Sequence, residues 1–301
     1  MSESSAIDYQ GHRGCRGLLP ENSIPAFFHV LQYNAIRTLE MDVVITADQQ
    51  VLISHEPWMS EEICSLPAVG EGEFVLPQVQ AVPYPGEPAD SLVPILQLEV
   101  ARIQQIDCGT KDHPRFSEQK SLATYKPTLV QLLAALERRK TSLAAKEQER
   151  IDQLQFNIEL KYTPEWEAAG LVPDIATFCE RVVEAIQPLT RPQMRVSLQC
   201  FHPPLLAHLR QVAPDIPLVY LDEFPQRGSL EEKFAELGFV PEVYSPYFEP
   251  LTPAEVQKSQ ELGAKVIPWT VNETAEMQKL VDWGVDGIIT DYPNRIPLES
   301  N

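Results

Sequence analysis

The stretch "TLEMDVVIT", residues 38–46, has the alternation of a β-strand and carries two carboxylates. Successive strand residues point to opposite faces, so its leucine, methionine and first valine share one face, and Glu40 and Asp42 share the other. An apolar face of this kind packs under helices in a barrel. The two carboxylates are therefore expected to face the lumen of a closed sheet or its mouth.

A second stretch, "FNIELK" at residues 156–161, repeats the pattern. Its apolar residues share one face, while Asn157, Glu159 and Lys161 share the other. If both stretches are strands of one barrel, the three carboxylates that they carry converge at one end of it. This geometry is the central expectation from the sequence.

The rest of the chain alternates short apolar runs with helical patterns, which is typical of a parallel sheet with crossover helices. Eight candidate strands are predicted, at residues 7–12, 38–46, 154–160, 195–201, 217–221, 242–248, 265–271 and 285–290. Helical patterns lie near residues 23–33, 127–140, 174–187, 203–212, 229–237, 253–262 and 273–283. Eight such units predict a (β/α)8 TIM barrel, because the eighth strand then has the first as its neighbour.

A length of 301 residues with 44% hydrophobic content fits one barrel domain over residues 1–301. One segment, residues 56–123, is aperiodic and rich in proline and glycine, and it is interpreted as an insertion after the second strand. Segments of this kind serve as lids or substrate loops, or are simply mobile. The charge-rich stretch at residues 137–153 is predicted to be a solvated helix.

The formal net charge is −19, from 24 basic and 43 acidic side chains, which disfavours nucleic acid or an anionic membrane as the main partner. A small anionic ligand would need a local cluster of cations. The sequence contains no run of about 18 apolar residues, so no membrane-spanning helix is predicted. The opening "MSESSAIDYQ" lacks the pattern of a signal peptide, so a cytoplasmic location is expected, or a periplasmic or secreted one if a leader has been removed.

Five cysteines without a CxxC pair disfavour a zinc cage and a complete disulfide framework. A bridge between Cys64 and Cys108, within the insertion, becomes plausible only if the protein is exported.

The carboxylates Glu40, Asp42 and Glu159 would repel one another and lose hydration if they met without a partner. An all-oxygen ligand set suits Mg²⁺, Ca²⁺ or Mn²⁺. The alternative is a buried ion network with Arg13 and Lys161 and no metal. Because barrel active sites lie at the carboxyl ends of the strands, where these residues fall, the metal site is favoured.

Two histidines are candidates for acid–base chemistry. His12 ends the first strand, and His55 follows the extended run "VLIS", so both could reach the same mouth. Arg13 and Lys161 could hold a substrate phosphate that bridges the metal, or a substrate carboxylate. The other four histidines are interpreted as surface or core residues: His29, His113, His202 and His208.

Four motifs now resemble those of the glycerophosphodiester phosphodiesterases. They are "GHRGCRGLLPENSIPAF", "LEMDVVITADQQVLISHE", "NIELK" and "DGIITDYP", and they occur in the order of that family from near the start of the chain to Pro293. The resemblance implies a TIM barrel with a small insertion after the second strand. It also implies hydrolysis of a glycerophosphodiester to glycerol 3-phosphate and an alcohol.

The resemblance further implies roles for particular residues. One divalent cation, Mg²⁺ or Ca²⁺, would be held by Glu40, Asp42 and Glu159. The acid and base would be His12 and His55, and the phosphate would be gripped by Arg13 and Lys161. Supporting positions would be Glu21, Asn22, Gln199 and Trp269, the last packing on the alcohol or capping the barrel.

The chain departs from the family pattern at three positions. Ser23 stands where threonine is usual, Cys15 fills a slot for a small residue, and Glu56 replaces an aspartate after the second histidine. The longer Glu56 side chain leaves a metal or orienting role at that position open.

Two alternative functions remain at this stage. One is a phospholipase D-like barrel that acts on lysophospholipid or sphingomyelin, which would need an apolar rim. The other is a non-catalytic phosphate-binding protein, which would be expected to lack at least one of the histidines or metal carboxylates.

Overall fold

The computed structural model describes residues 7–66, 93–190 and 195–297. Within these ranges no helix is both long enough and apolar enough to cross a membrane.

The barrel is built from eight parallel strands, as the sequence predicts. With the antiparallel β3, the sheet has nine strands: β1 (Asp8–Gly11), β2 (Ile36–Ile45), β3 (Val51–Ile53), β4 (Gln155–Leu160), β5 (Val196–Cys200), β6 (Leu218–Asp222), β7 (Val243–Pro246), β8 (Lys265–Val266) and β9 (Gly287–Thr290). Their order is β8-β7-β6-β5-β4-β2-β1-β9, and β3 returns antiparallel beside β2. The short run "VLIS" is therefore a hairpin strand and not one of the eight.

Backbone hydrogen bonds close the barrel between its last two segments. The Asp286 amide donates to the carbonyl of Val266 at 2.8 Å, and the Ile289 amide donates to the carbonyl of Pro268 at 3.0 Å. Because β1 pairs with β9 on the other side, the sheet runs almost completely round. Closure brings the carboxyl ends of all parallel strands to one mouth.

Ten helices cover the outside of the sheet in the described ranges. They are α1 (Ile24–Val30), α2 (Val100–Ile103), α3 (Leu129–Lys140), α4 (Ala145–Asp152), α5 (Pro164–Ala168), α6 (Ile175–Ala185), α7 (Pro203–Val212), α8 (Leu230–Leu237), α9 (Pro253–Glu261) and α10 (Thr274–Asp282). Several begin at side chains that accept the first free amides: Thr128, Ser229 and Thr252 each form a reciprocal capping box.

The alternation read from the sequence is present in the packing. Met41 of β2 and Ile158 of β4 are fully buried in the main apolar cluster between sheet and helices. On the lumen side, Asn157 donates to Gln10 and to Gln199, each at 2.9 Å. Polar groups inside the barrel are thus paired with one another across neighbouring strands.

The stretch at residues 137–153, predicted as one helix, is divided into α3 and α4. At the end of α3, Thr141 and Ser142 turn their hydroxyls back onto the carbonyls of Arg138 and Arg139. These local bonds compete with continuation of the helix. Ala144 is extended, and its amide is bound by Glu147 as α4 begins.

The described parts of the 56–123 insertion follow the β2–β3 hairpin and carry an apolar cluster of their own. Leu52 of β3 packs in it with Met59, Ile95 and Ile103 of the insertion. Cys64 and Cys108 form a disulfide within the same cluster, a pairing that the sequence left open. The predicted lid or substrate loop falls partly on residues 67–92, which lie outside the described residues.

Candidate active site

The turn after β1 places a backbone amide inside the mouth. Arg13 and Gly14 both have positive φ, 50° and 85°, so the chain reverses directly after His12. A Cβ on Gly14 would lie 2.9 Å from the side chain of Ala26, so glycine is required on both grounds. The reversal directs the amide of Arg13 to Glu40, at 2.8 Å.

The three predicted carboxylates meet at this place. In the register of β2 against β4, Asp42 is opposite Glu159. Glu40, Asp42 and Glu159 each present an oxygen, and these oxygens all lie within 4.8 Å of one another. The three side chains are buried. Acids from two separate strands therefore converge as the alternation predicts.

Burial and mutual repulsion act against ionisation of this group. Desolvation, followed by the charges of Asp42 and Glu159, raises the pKa of Glu40 well above its ordinary value. Desolvation likewise raises the pKa of Glu159 to about 7, although Lys161 opposes it. Asp42 differs: despite the same desolvation, Arg13, His55 and Lys161 hold its pKa far below the usual range.

The group fits a divalent cation on two counts. The Oδ1 atom of Asp42 is buried and accepts no hydrogen bond, which is costly for a carboxylate oxygen unless a cation binds it. Around the three acids, carboxylates also outnumber cations. The carboxylates are Glu21, Glu40, Asp42, Glu56, Glu159 and Asp291, and the cations are Arg13, Arg16, Lys126 and Lys161. With all six carboxylates ionised, as a bound cation would favour, and with neutral histidines, the excess of two negative charges equals the charge of one Mg²⁺ or Ca²⁺.

Arg13 and Lys161 stand beside these carboxylates. The Arg13 guanidinium bonds Glu21 at 2.8 Å and lies 3.1 Å from Asp42. The Lys161 ammonium is 2.7 Å from Glu159 and 3.9 Å from Asp42. Both cations are thus fixed at the edge of the acid group by ion pairs.

Three of the four predicted supporting residues contact the acids or Arg13. Glu21 fixes Arg13, and the amide of Asn22 donates to Asp42 at 2.8 Å. Asn22 has φ 53°, a conformation that asparagine tolerates better than most residues. The amide of Gln199 donates to Glu40 at 2.8 Å. Ser23 still supplies the hydroxyl that caps α1, accepting from the Ala26 amide.

His12 is held by a residue that the sequence reasoning did not single out. Its Nδ1 lies 2.7 Å from Asp291, which directly follows β9, and its Nε2 lies 4.0 Å from Glu40. Arg16 and Asn272 fix the same aspartate, at 2.9 and 2.8 Å. An acid at the carboxyl end of a predicted strand, in "DGIITDYP", was the available signal.

His55 has a corresponding partner in its neighbour. The Nδ1 atom of His55 lies 2.7 Å from the carboxylate of Glu56, so the longer side chain at position 56 reaches the ring. Desolvation and the charges of Arg13 and Lys161 lower the pKa of His55. Desolvation and Arg16 lower the pKa of His12 to about 4. Both rings are therefore neutral at pH 7, each with Nε2 left for a ligand.

Lys126 is a further buried cation that sequence reasoning missed. Its ammonium donates to Ser54 at 2.9 Å. Desolvation lowers the pKa of Lys126, and the charge of Glu56 is the main effect that opposes it. Of the histidines interpreted as core or surface, His113 is buried against Phe116, 4.6 Å between ring centres.

Trp269 lies on the far side of the mouth from the acids. Its indole nitrogen donates to the carbonyl of Ser245 at 2.9 Å. The neighbouring Thr270 hydroxyl is 3.4 Å from Nδ1 of His12, and the Phe201 ring is 5.5 Å from the indole. Trp269 is thus adjacent in sequence to a residue that contacts His12.

Comparison with known sequences agrees with the motif resemblance. The sequence model of the glycerophosphoryl diester phosphodiesterase family matches residues 12–295. A glycerophosphodiester phosphodiesterase of Caldanaerobacter subterraneus subsp. tengcongensis is 26% identical over 291 residues, covering 95% of this chain and 94% of that protein. One from Bacillus subtilis is 23% identical over 293 residues, covering 94% of this chain and 83% of that protein.

Comparison with solved structures supports the barrel. A protein from Silicibacter pomeroyi that bears the name glycerophosphoryl diester phosphodiesterase has a TM-score of 0.77 at 28% identity, covering 97% of this chain and 92% of that one. An Oleispira antarctica phosphodiesterase, solved with its product sn-glycerol-3-phosphate, has a TM-score of 0.69 at 18% identity, covering 97% of this chain and 95% of that one. At that identity the second likeness concerns the fold.

Proposed function

The chain belongs to the glycerophosphoryl diester phosphodiesterase family, and from this premise we propose that it hydrolyses glycerophosphodiesters to glycerol 3-phosphate and an alcohol. One observation carries the proposal. Three acids from two strands meet within 4.8 Å, and the two histidines beside them each have Nδ1 fixed by a carboxylate.

Glu40, Asp42 and Glu159 would hold one divalent cation, Mg²⁺ or Ca²⁺, which supplies Lewis-acid stabilisation of charge on the phosphoryl oxygens. Arg13 and Lys161, at the edge of the acid group, would bind the same phosphate through their remaining donors. Glu21 keeps Arg13 in place, and Asn22 and Gln199 orient Asp42 and Glu40. Ligands oriented in this way lose little freedom when substrate binds.

His12 and His55 would transfer the protons. A carboxylate at Nδ1 fixes the tautomer in which Nε2 accepts a proton. We assign the protonation of the leaving alcohol to His12, because its ring lies 3.4 Å from the hydroxyl of Thr270, the residue next to Trp269. His55, next to Arg13 and Lys161, would deprotonate the nucleophile. The anionic phosphate would raise the pKa of either ring when it binds.

The nucleophile is either water or the 2-hydroxyl of the substrate glycerol, which would form a cyclic phosphate first. Phosphorus NMR during turnover separates the two routes. A cyclic glycerophosphate signal that rises and falls supports attack by the hydroxyl. Immediate incorporation of solvent oxygen-18 without that signal supports attack by water.

The decisive test is release of glycerol 3-phosphate from glycerophosphocholine before and after EDTA, with Mg²⁺ or Ca²⁺ then restored. We expect loss of activity with EDTA and recovery with one of the two ions. Full activity in EDTA would remove the metal from the proposal, and no product under any condition would refute the activity. Lysophosphatidylcholine and sphingomyelin in parallel assays test the phospholipase D-like alternative.

We also propose that the insertion at residues 56–123 is part of a single domain spanning residues 1–301, because its described residues share an apolar cluster with β2 and β3. A single cooperative unfolding transition is the expected result, and a separate early transition would argue for an independent unit.

A further inference from the structure

A cavity of about 530 Å³ opens at the mouth of the barrel, where β6, β7 and the segment after β8 end. Three aromatic residues line it: Phe224, Tyr247 and Trp269. The rings of Tyr247 and Trp269 pack 5.6 Å apart, so two of the walls support each other. The three carboxylates proposed to hold the metal do not line this cavity. Nor do the two cations proposed to bind the phosphate.

The charges of this cavity are of one sign. Its remaining lining residues are Glu223, Gln226, Glu249 and Pro250, so the lining contains no lysine, arginine or histidine. Glu223 and Glu249 are exposed carboxylates at its rim. An aromatic wall with carboxylates at the rim attracts a cation, and the lining has no positive charge to favour an anion.

The cavity is next to the proposed reaction site. Trp269 lines it, and the next residue, Thr270, contacts His12. On the other side, the Phe201 ring lies 5.5 Å from Trp269 and 5.8 Å from the ammonium of Lys161. A diester whose phosphate is bound near Lys161 would therefore direct its leaving alcohol towards the aromatic rings.

We propose that this cavity binds a quaternary ammonium group on the leaving alcohol, so that the enzyme prefers choline-type diesters to neutral ones. The proposal rests on the proposed phosphodiesterase activity and names its substrate. The faces of Phe224, Tyr247 and Trp269 would contact the methyl groups, and Glu223 and Glu249 would balance the charge. A quaternary group donates no hydrogen bonds, which suits aromatic walls.

Two cations lie near this lining. Lys233 is paired with Asp222 and donates to the backbone carbonyls of Phe224 and Pro225, at 3.2 and 2.9 Å. Arg227 is the cation that contacts an aromatic wall. Its guanidinium stacks 3.9 Å from the centre of the Phe224 ring, outside the cavity lining. It shows that this ring accepts a cation on its face, and it would repel a cationic alcohol weakly. Arg227→Ala should therefore maintain or increase the preference for the choline diester.

The experiment compares kcat/KM for glycerophosphocholine with that for its carbon isostere, in which a tert-butyl group replaces the trimethylammonium group. Shape is nearly equal in the pair, so the ratio measures charge recognition. Glycerophosphoglycerol is the third substrate and tests whether the cavity instead binds a polyol. We expect a choline-to-isostere ratio of about ten or more.

Two variants locate the effect. Glu223→Gln with Glu249→Gln should lower the ratio to about three or less, and Phe224→Leu should lower it about threefold. The matched control is Tyr125→Leu, at a ring that is 42% exposed elsewhere on the surface, and it should leave the ratio unchanged. Melting curves verify that each variant is folded.

A wild-type ratio near one, or a preference for glycerophosphoglycerol, would overturn the proposal while the phosphodiesterase activity stands. A choline-to-isostere ratio that remains near ten in both variants would mean that the charge is recognised elsewhere. This result would also overturn the proposal. If none of the three diesters is hydrolysed with Mg²⁺ or Ca²⁺ present, the proposed function itself fails.

Discussion

The two sides of the barrel mouth differ in nearly every physical respect. The charged half, at the carboxyl ends of β1, β2 and β4, contains Glu40 and Asp42, each only 1% exposed. The aromatic half, at the carboxyl ends of β6, β7 and β8, contains Phe224, which is 40% exposed. One half is dry, charged and tightly hydrogen-bonded, and the other is open and mostly apolar.

This difference indicates a division of labour. Charges stabilise a transition state best when they are fixed and shielded from water before substrate arrives, which the charged half achieves through paired side chains. Recognition of an alcohol needs an accessible surface, which the aromatic half offers. Variants in the charged half should therefore lower turnover severely, whereas variants in the aromatic half should change substrate preference.

The largest effect is expected from the metal carboxylates. Asp42→Asn and Glu159→Gln should each reduce kcat/KM by about 10³-fold or more, since each removes a charge from the proposed cation site. Isothermal titration with Mg²⁺ should show weakened binding in both. The control is Glu236→Gln, at an exposed position on α8, and it should retain full activity. Normal activity in either site variant would contradict the charged half as the reaction centre.

The next largest loss of activity is expected from substitution of the two histidines. His12→Ala and His55→Ala are each expected to lower turnover by at least about 10²-fold and to leave metal binding largely intact. A 4-nitrophenyl diester, whose leaving group departs without a proton, should restore turnover in His12→Ala but not in His55→Ala. The opposite pattern would exchange the two assignments. His208→Ala, on the outer helix α7, is the control.

A smaller loss is expected from Asp291→Asn. The carboxylate orients His12 and raises its pKa, so its removal should reduce kcat by about 10- to 100-fold. If His12 must be protonated to act, a lower pKa for the ring should move the alkaline limb of the pH–rate profile to lower pH. A merely structural role would lower activity without moving that limb.

The smallest effect is expected from Phe201, which lies between the two halves. Phe201→Leu removes the ring beside Lys161 and Trp269, and contacts of this kind contribute about 0.5–1 kcal/mol at exposed sites. We expect KM to rise about two- to fivefold with kcat nearly unchanged, equally for all alcohols. A change in the choline-to-isostere ratio would instead make Phe201 part of the aromatic half.

Much of the charged half could be predicted from local sequence. The alternation in "TLEMDVVIT" and "FNIELK" sets which side chains face inward, and the inward position of Glu40, Asp42 and Glu159 follows from it. The prediction of one continuous helix over residues 137–153 was wrong. The hydroxyls of Thr141 and Ser142 bond to backbone carbonyls and end the first helix, although the composition of the stretch favours a helix throughout.

The aromatic half could not be predicted in the same way. Phe224, Tyr247 and Trp269 come from three separate loops, and no periodicity connects them. The family resemblance implied a role for Trp269, but it implied none for Phe224 or Tyr247. Aromatic residues after strands are equally compatible with barrel caps, so only their arrangement around a cavity supports the proposed binding surface.

The sequence by itself determined most of the strands and helices and the side of each strand on which its acids lie, because these are properties of neighbouring residues along one backbone. Tertiary structure decided which distant groups meet: His12 with Asp291, 279 positions apart, and Cys64 with Cys108. Such contacts depend on closure of the sheet and on packing against it. Closure joins the first strand to the last. The count of eight units predicts that the two strands are neighbours, but a local pattern does not say which side chains meet across them.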